Sequence, residues 1–151
     1  MSERARIEEQ LQRAFEGEAW HGPSVREVLV SIAPAQAAEH PLPAAHSIWE
    51  IVLHMTTWHD TVRRRLAGEA FMPTPAQDWP AVTDTSESAW RAALADLDRS
   101  YRDVRSALAS LDESRLDEAL VPGGSTGYVQ LHGLVQHDLY HAGQIAVLRK
   151  G

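Results

Sequence analysis

The sequence predicts an all-α protein built as a four-helix bundle. Four long segments repeat apolar residues every three or four positions, which is the spacing of one helix face. No stretch alternates apolar and polar residues as a half-buried β-strand does, and no internal repeat is visible. The chain has 151 residues, a length that suggests one domain spanning residues 1–151. Four main helices in such a chain imply a bundle around one core.

The first part of the chain contains one long helix and two shorter segments. The long helix is expected from Ser2 to about Glu18, where apolar residues follow helical spacing. Gly22-Pro23-Ser24 then restarts a short helix with the sequence VREVLVSI. Residues 34–43 are bounded by prolines and form a short helical or irregular connector.

A second long helix is expected from about Ile48 to Ala67, with Ser47 and Glu50 as its capping box and Gly68 as its end. Residues 68–83 contain three prolines and form a long connection. Sixteen extended residues span about 50 Å, whereas a helix of about 20 residues is about 30 Å long. The connection can therefore run the length of the bundle, which permits an up-down-down-up order as well as a simple up-down one.

Two further long helices complete the prediction. Thr83 or Asp84 is expected to cap a helix that runs to about Ser110, and residues 112–120 add a short one. The last helix is expected from about Thr126 to Lys150. Because it is apolar on opposite arcs, we expect it to be buried on most sides. We expect the second and fourth long helices to be antiparallel neighbours.

Composition excludes several classes of site and partner. The chain has no cysteine, so disulfides are excluded and any metal must be held by nitrogen and oxygen. The net charge of −7 argues against a nucleic-acid partner. The one basic run, Arg63-Arg64-Arg65, is interpreted as a solvated helix end. A charged N-terminus and the lack of a run of about 18 apolar residues indicate a cytoplasmic protein outside the membrane.

Two histidines, His137 and His141, stand four residues apart in the last helix and share one of its faces. Buried imidazoles need partners, because an unpaired buried polar group costs roughly 1–3 kcal/mol. Side chains at this spacing can both turn a nitrogen toward one metal ion. The alternative is two separately hydrogen-bonded histidines. A third ligand from another helix would favour the metal site.

His54 and His59, both in the second long helix, are the main alternatives for that third ligand. Periodicity places His59 nearer the centre of the apolar stripe and therefore favours its burial. His54 lies about 12 Å from the start of its helix, and His141 lies about 12 Å from the end of the last helix. These depths match if the two helices are antiparallel. The residues alone leave the choice between His54 and His59 open.

The remaining polar and aromatic residues are given simpler interpretations. His46 is expected to be a cap or surface group, and Trp79 a loop anchor that could also cover a pocket. Asp138 and Glu50 could act as general bases, but a solvated surface acid is the preferred interpretation of each. The sequence HDLYH lacks the glutamate and third ligand of a zinc protease, and no ExxH motif supports a di-iron site.

Two stretches, HSIWEIVLHMTTWHDTVRRRLAGE and LHGLVQHDLYHAGQIAVLRK, resemble the signature helices of the DinB/YfiT-like superfamily. The resemblance implies a four-helix bundle with up-down-down-up topology, commonly a homodimer. It also implies that His54, His137 and His141 bind one divalent metal, usually zinc or nickel. Some relatives transfer low-molecular-weight thiols to electrophiles, and others are labelled metal-dependent hydrolases.

Three imidazole ligands would leave a tetrahedral metal with one open position, which can activate a bound thiol or water. The first hypothesis is a metal-dependent S-transferase that joins a thiol cosubstrate to an electrophile, and the absence of cysteine fits it. The alternatives are a metal-dependent hydrolase and a non-enzymatic dimeric stress or binding protein. Because protons compete with the ion, we expect metal affinity to weaken between about pH 8 and about pH 5.

Overall fold

The computed structural model describes residues 1–151 as a helical chain without a β-strand. In chain order the helices are α1 (Glu3–Phe15), α2 (Val25–Leu29), α3 (Pro34–Ala38), α4 (Ile48–Leu66), α5 (Pro75–Asp78), α6 (Glu87–Ala109) and α7 (Gly127–Leu148), with a 3₁₀ helix, Glu113–Asp117, between α6 and α7. This confirms the prediction of an all-α fold with four long helices. None of the helices is both long and apolar enough to cross a membrane.

The caps of the long helices agree with the sequence at α4 and differ at α6. Ser47 and Glu50 form the predicted capping box: the Glu50 N–H donates to Ser47 Oγ, and the Ser47 N–H donates to Glu50 Oε2. The predicted start of α6 at Thr83 or Asp84 is wrong, because Ser86 is the capping residue. Asp84 instead accepts a hydrogen bond from the Ser86 N–H at 2.9 Å, which forms the turn before the helix.

One hydrophobic cluster of 31 buried residues includes side chains from all four long helices. Within it, the rings of Phe15 and Tyr101 stack with their centres 3.9 Å apart and join α1 to α6. Trp90 in α6 donates its indole N–H to the Ile32 carbonyl at 2.9 Å, which fixes the segment between α2 and α3. The core therefore holds α4, α6 and α7 in a fixed arrangement around the polar residues described below.

Helices α4 and α7 lie side by side and run in opposite directions. Arg65, near the end of α4, donates a hydrogen bond to Gln130, near the start of α7, at 2.9 Å. Earlier in α4, His54 meets His137, which lies further along α7. These contacts confirm the prediction that the second and fourth long helices are antiparallel neighbours.

The connection between α4 and α6 returns along the length of α4. The rings of Trp49 and Trp90, near the starts of the two helices, have centres 5.0 Å apart. Asp78, midway along the connection, contacts His54. The predicted length of this crossing is therefore confirmed, but the short helix α5 within it was not predicted, because four residues carry no readable periodicity.

Helix α7 is more exposed than its composition suggests. Tyr140 is 66% exposed, Val147 is 65% exposed and Val129 is 53% exposed. The prediction that this helix is buried on most sides is therefore wrong for the side that carries these residues. Helix α7 is apolar on two sides because one side packs into the core and the other borders open cavities.

The capping box of α4 gives a stability prediction. Ser47→Ala removes the hydroxyl that accepts the Glu50 N–H, and we expect it to lower the free energy of unfolding by about 1 kcal/mol. Urea denaturation measures this change. Ser106→Ala, at an exposed position inside α6, is the matched control. Equal effects of the two substitutions would contradict a contribution from the cap.

Candidate metal centre

Three histidine side chains meet between α4 and α7. Nε2 of His137 lies 3.0 Å from Nε2 of His54 and 3.1 Å from Nε2 of His141. One ring nitrogen of each residue lies within 4.8 Å of the other two. Nitrogens bound at about 2.0–2.1 Å to a tetrahedral ion are about 3.3 Å apart. The three donors therefore have a spacing that could hold one metal ion.

The positions of these histidines follow from the helices that carry them. His137 and His141 are one turn apart on α7, and His54 reaches them from the antiparallel α4. The structure thus brings together the three histidines that the family resemblance implies. His59, the alternative to His54, is fully buried as its periodicity favours, but it lies outside this cluster and contacts Asp138 instead.

Hydrogen bonds to the outer ring nitrogens set the orientation of two of the three imidazoles. His54 Nδ1 lies 2.8 Å from the Asp78 carbonyl oxygen and 3.0 Å from Asp78 Oδ1. His141 Nδ1 lies 2.6 Å from Gln144 Oε1. Each Nδ1 faces only acceptors and carries the proton, so each neutral ring leaves a lone pair on Nε2. These two Nε2 atoms are the ones that lie 3.0 and 3.1 Å from His137 Nε2.

Burial keeps the three imidazoles in the form that binds metal. It lowers the pKa of His54 and the pKa of His141 below their ordinary range. Burial, followed by the charges of His141 and His54, lowers the pKa of His137 to about 3. Because a neutral imidazole is the ligand form, an ion would not need to displace protons from the folded protein at neutral pH.

The long connection covers the metal-facing side of α4. The Trp79 ring lies between His46 and His54, with ring centres 3.6 and 3.8 Å away. Asp78 Oδ1 also accepts the indole N–H of Trp58 at 2.7 Å. The expected function of Trp79 as a loop anchor is therefore seen, because its ring stacks on His46 and His54. Asp78 had no signal in the sequence, because a single contact between residues 24 positions apart leaves no periodic pattern.

A second buried polar cluster lies behind the histidine cluster. His59 Nε2 is 2.9 Å from Asp138 Oδ1, and His59 Nδ1 is 3.1 Å from Ser100 Oγ, which itself donates to the Leu97 carbonyl. Asp138, His59 and Ser100 have no solvent exposure. The interpretation of Asp138 as a solvated surface acid is therefore wrong. The three residues are of the types found in a hydrolytic triad, but they are fully buried and no substrate could reach them. Their contacts join α4, α6 and α7.

Two cavities flank the three histidines. The larger, about 630 Å³, is mostly apolar and is bordered by Ile51, Tyr140 and Gln144, the residue that contacts His141. The smaller, about 330 Å³, is bordered by His137 and Arg65. The smaller cavity therefore reaches the histidine cluster at His137, whereas the larger one reaches Gln144, the hydrogen-bond partner of His141.

Arg65 differs from the two arginines before it. Arg64 bonds to Glu69 at 2.7 Å and Arg63 faces Asp60, and both side chains are 36% exposed. Arg65 is only 6% exposed. The interpretation of the arginine run as a solvated helix end is therefore wrong for Arg65, because this residue shares the face of α4 that packs toward α7.

The chain belongs to the DinB superfamily. A model of that superfamily matches residues 19–145, a span that contains all three clustered histidines. No curated protein and no solved structure matches the chain. The family assignment therefore rests on the family model, and the geometry of the site comes from the structure itself.

The lowered pKa values revise the expected pH dependence. A metal that binds only the folded state raises the melting temperature, and protons oppose it only where they occupy the folded imidazoles. We expect the gap between metal-loaded and metal-free melting temperatures to shrink less between about pH 8 and about pH 6 than it would for exposed histidines, because burial lowers the folded pKa values below the ordinary value of about 6.5. It should close at the lower pH at which the first of the three folded imidazoles takes up a proton, because that proton removes one ligand.

Scanning calorimetry with Zn²⁺ measures this gap. At pH values below about 6.5 both melting temperatures should decrease, because the histidines of the unfolded chain take up protons that those of the folded chain do not. His141→Ala should remove the gap, and His132→Ala, in the same helix but bonded to Glu3, should keep it. A gap that halves between about pH 8 and about pH 6 would show histidines that titrate as exposed ones do.

The buried His59–Asp138 contact gives a separate stability prediction. His59→Ala leaves the Asp138 carboxyl buried without its imidazole partner, and we expect a loss of about 3 kcal/mol or more in the free energy of unfolding. His21→Ala, at an exposed position, should change it by less than about 0.5 kcal/mol. Urea denaturation compares the two variants. Equal free energies of unfolding for the two variants would contradict a stabilising contact between His59 and Asp138.

Proposed function

We propose that this DinB superfamily protein binds one divalent metal ion through His54, His137 and His141 and joins a low-molecular-weight thiol, through its sulfur, to an electrophile. The observation that carries the proposal is a set of three converging imidazole nitrogens without a fourth protein donor. A tetrahedral ion held by three protein ligands keeps one position for an exchangeable ligand, as catalytic sites do and closed structural sites do not. The identity of the metal, zinc or nickel, is part of the proposal.

The chemistry of the surrounding residues supports a thiol rather than water as that exchangeable ligand. When bound, a divalent metal lowers the pKa of a coordinated thiol so that it is a thiolate at neutral pH. Hydrolysis with bound water is commonly assisted by a nearby general base. The neighbouring carboxyls are already engaged: Asp138 contacts His59 in the core, and Asp78 contacts His54 and Trp58. Thiol transfer needs no such base once the thiol has lost its proton.

The chain's own residues would orient the site and exclude water from it. Asp78 and Gln144 hold the Nδ1 protons of His54 and His141, which keeps both rings turned toward the centre of the cluster. Trp79 covers the face of His54. The larger cavity, bordered by Ile51, Tyr140 and Val147, suits the carbon skeleton of an electrophile.

The proposal also covers the order of the helices, the oligomeric state and the cellular location of the protein. We propose an up-down-down-up order within one domain, supported by the neighbours of α4. Its early residue Trp49 lies near the start of α6, and its late residue Arg65 lies near the start of α7. We also propose a cytoplasmic homodimer that does not bind nucleic acid, on the grounds given by composition and family resemblance.

The proposal is tested by metal analysis followed by a thiol screen. We expect about one equivalent of divalent metal per chain, and thiol-dependent turnover of monochlorobimane. In that reaction an S–C bond forms, chloride leaves with its bonding electron pair, and the thiol proton passes to the buffer. Metal-dependent ester hydrolysis without a thiol would instead support the hydrolase. Bound metal without either reaction would support a non-enzymatic binding protein.

Histidine variants distinguish the loss of a metal ligand from a non-specific loss of structure. His54→Ala and His141→Ala should each lower bound metal and turnover at least tenfold, the order of effect that loss of one interaction with a metal site produces. His132→Ala is the matched control on α7, where the ring contacts Glu3 rather than the cluster. Unchanged metal content in His54→Ala would contradict the proposed ligand set.

A further inference from the structure

Arg65 is a buried cation without an acidic partner. It is 6% exposed and takes part in no ion pair, whereas its neighbours Arg63 and Arg64 pair with Asp60 and Glu69. Burial lowers the pKa of Arg65, and no carboxylate offsets this effect. An arginine remains charged under these conditions. Buried charges are usually paired, so an unpaired guanidinium suggests that its partner is a ligand.

The neutral contacts of Arg65 leave part of its hydrogen-bonding capacity free. Nε donates to the Phe71 carbonyl at 2.9 Å, Nη1 donates to Gln130 Oε1 at 2.9 Å, and Nη2 has a weak contact with Met72 Sδ at 3.5 Å. A guanidinium has five N–H groups, so one remains on each terminal nitrogen. Two such N–H groups match the two oxygens of one carboxylate.

The cavity that Arg65 borders leads to the histidine cluster. It has a volume of about 330 Å³, and its walls include Trp58 and Val62 from α4 and Gln130, Leu134 and His137 from α7. Gln130, which contacts Arg65, and His137 are seven residues apart, or about 10 Å along α7. A ligand with a chain of a few carbon atoms could therefore reach both the guanidinium and the clustered nitrogens.

We infer that Arg65 binds the carboxylate of the thiol cosubstrate and that this thiol is therefore an acidic one. The inference rests on the proposed function, because it places the sulfur at the histidine cluster. The carboxylate and Arg65 form a charge-assisted pair at one end of the cavity, and the carbon chain lies along Trp58 and Val62. The protein selects acidic thiols over neutral ones of equal length through this pair.

The test compares two thiols that differ only at the end remote from sulfur. Isothermal titration of the Zn²⁺-loaded protein gives the dissociation constants of 6-mercaptohexanoate and 6-mercaptohexan-1-ol. We expect the carboxylate to bind at least about tenfold more tightly, the order of effect of one charge-assisted hydrogen bond. The preference should vanish for mercaptoacetate against 2-mercaptoethanol, because the short chains cannot reach from the histidines to Arg65. Equal affinities of the long thiols, or binding of neither, would overturn the inference.

Two pairs of variants locate the preference. Arg65→Gln should abolish it, whereas Arg64→Gln, which removes an exposed arginine bonded to Glu69, should preserve it. Gly133→Leu places a side chain at the cavity wall, where a Cβ atom meets open space, and should weaken binding of 6-mercaptohexanoate at least about tenfold. Gly143→Leu, at an equally open position of the larger cavity, should not.

These variants keep the test decisive if Arg65→Gln fails to fold. Gly133→Leu replaces a helical glycine with a better helix former, at a position where a Cβ atom has no neighbour within 4 Å. Full retention of the carboxylate preference in Arg65→Gln, or unchanged binding of 6-mercaptohexanoate by Gly133→Leu, would overturn the inference.

Failure of the inference and failure of the proposed function give different results. If monochlorobimane is turned over equally well with acidic and neutral thiols, the proposed S-transferase activity is supported and the proposed carboxylate binding by Arg65 is overturned. If 6-mercaptohexanoate binds selectively but no turnover occurs, carboxylate binding by Arg65 is supported and the proposed S-transferase activity is overturned. If Zn²⁺ does not bind, the melting temperature of the metal-free protein is measured with hexanoate and with hexan-1-ol. A larger increase with hexanoate supports the Arg65 contact, and equal increases overturn it.

Discussion

The desolvation of three imidazoles between two antiparallel helices is the constraint on which the site depends. In water, histidines titrate near about pH 6.5 and bind protons in competition with metal ions. Here burial lowers the pKa of all three rings, and that of His137 to about 3. The folded chain therefore brings three neutral imidazoles together, with their Nε2 atoms a few ångströms apart. That arrangement is unfavourable without a ligand, because uncompensated polar atoms are kept from water.

The residues around the cluster reduce this cost and fix its geometry. Asp78 and Gln144 accept the outer protons of His54 and His141, whereas His137 Nδ1 is buried without a partner. On the other side of α7, Asp138 follows His137 directly and contacts His59 in the core. Adjacent residues of α7 thus contribute to two separate buried sites. A shift of this helix would disturb both the metal centre and the contact that joins α4, α6 and α7.

Most of the fold and part of the site could be predicted from the sequence. Helical periodicity and the Ser47–Glu50 capping box place α4 within one residue of its observed end. The His137–His141 spacing identifies the pair on α7, and the depth match with an antiparallel α4 makes His54 a candidate. Periodicity could not choose between His54 and His59, because both side chains are buried. They differ in what they face, and only the three-dimensional structure shows this.

The features that escaped prediction depend on contacts between distant parts of the chain. Asp78, the last residue of α5, contacts His54, which lies 24 residues earlier in the chain. Arg65 resembles its neighbours Arg63 and Arg64 in sequence, but one face of α4 packs toward α7 and buries it. Charge runs are usually solvated, so the burial of one member is visible only when the packing of the helix is known.

X-ray absorption of the Zn²⁺-loaded protein, without added thiol, tests the central claim most directly. The account predicts three imidazole nitrogens at about 2.0–2.1 Å, with the outer-shell scattering of three histidine rings and one further light-atom ligand from solvent. In His54→Ala the imidazole count should fall to two. A wild-type spectrum with two or fewer imidazoles, or with protein carboxylate oxygens in their place, would contradict a three-histidine centre between α4 and α7.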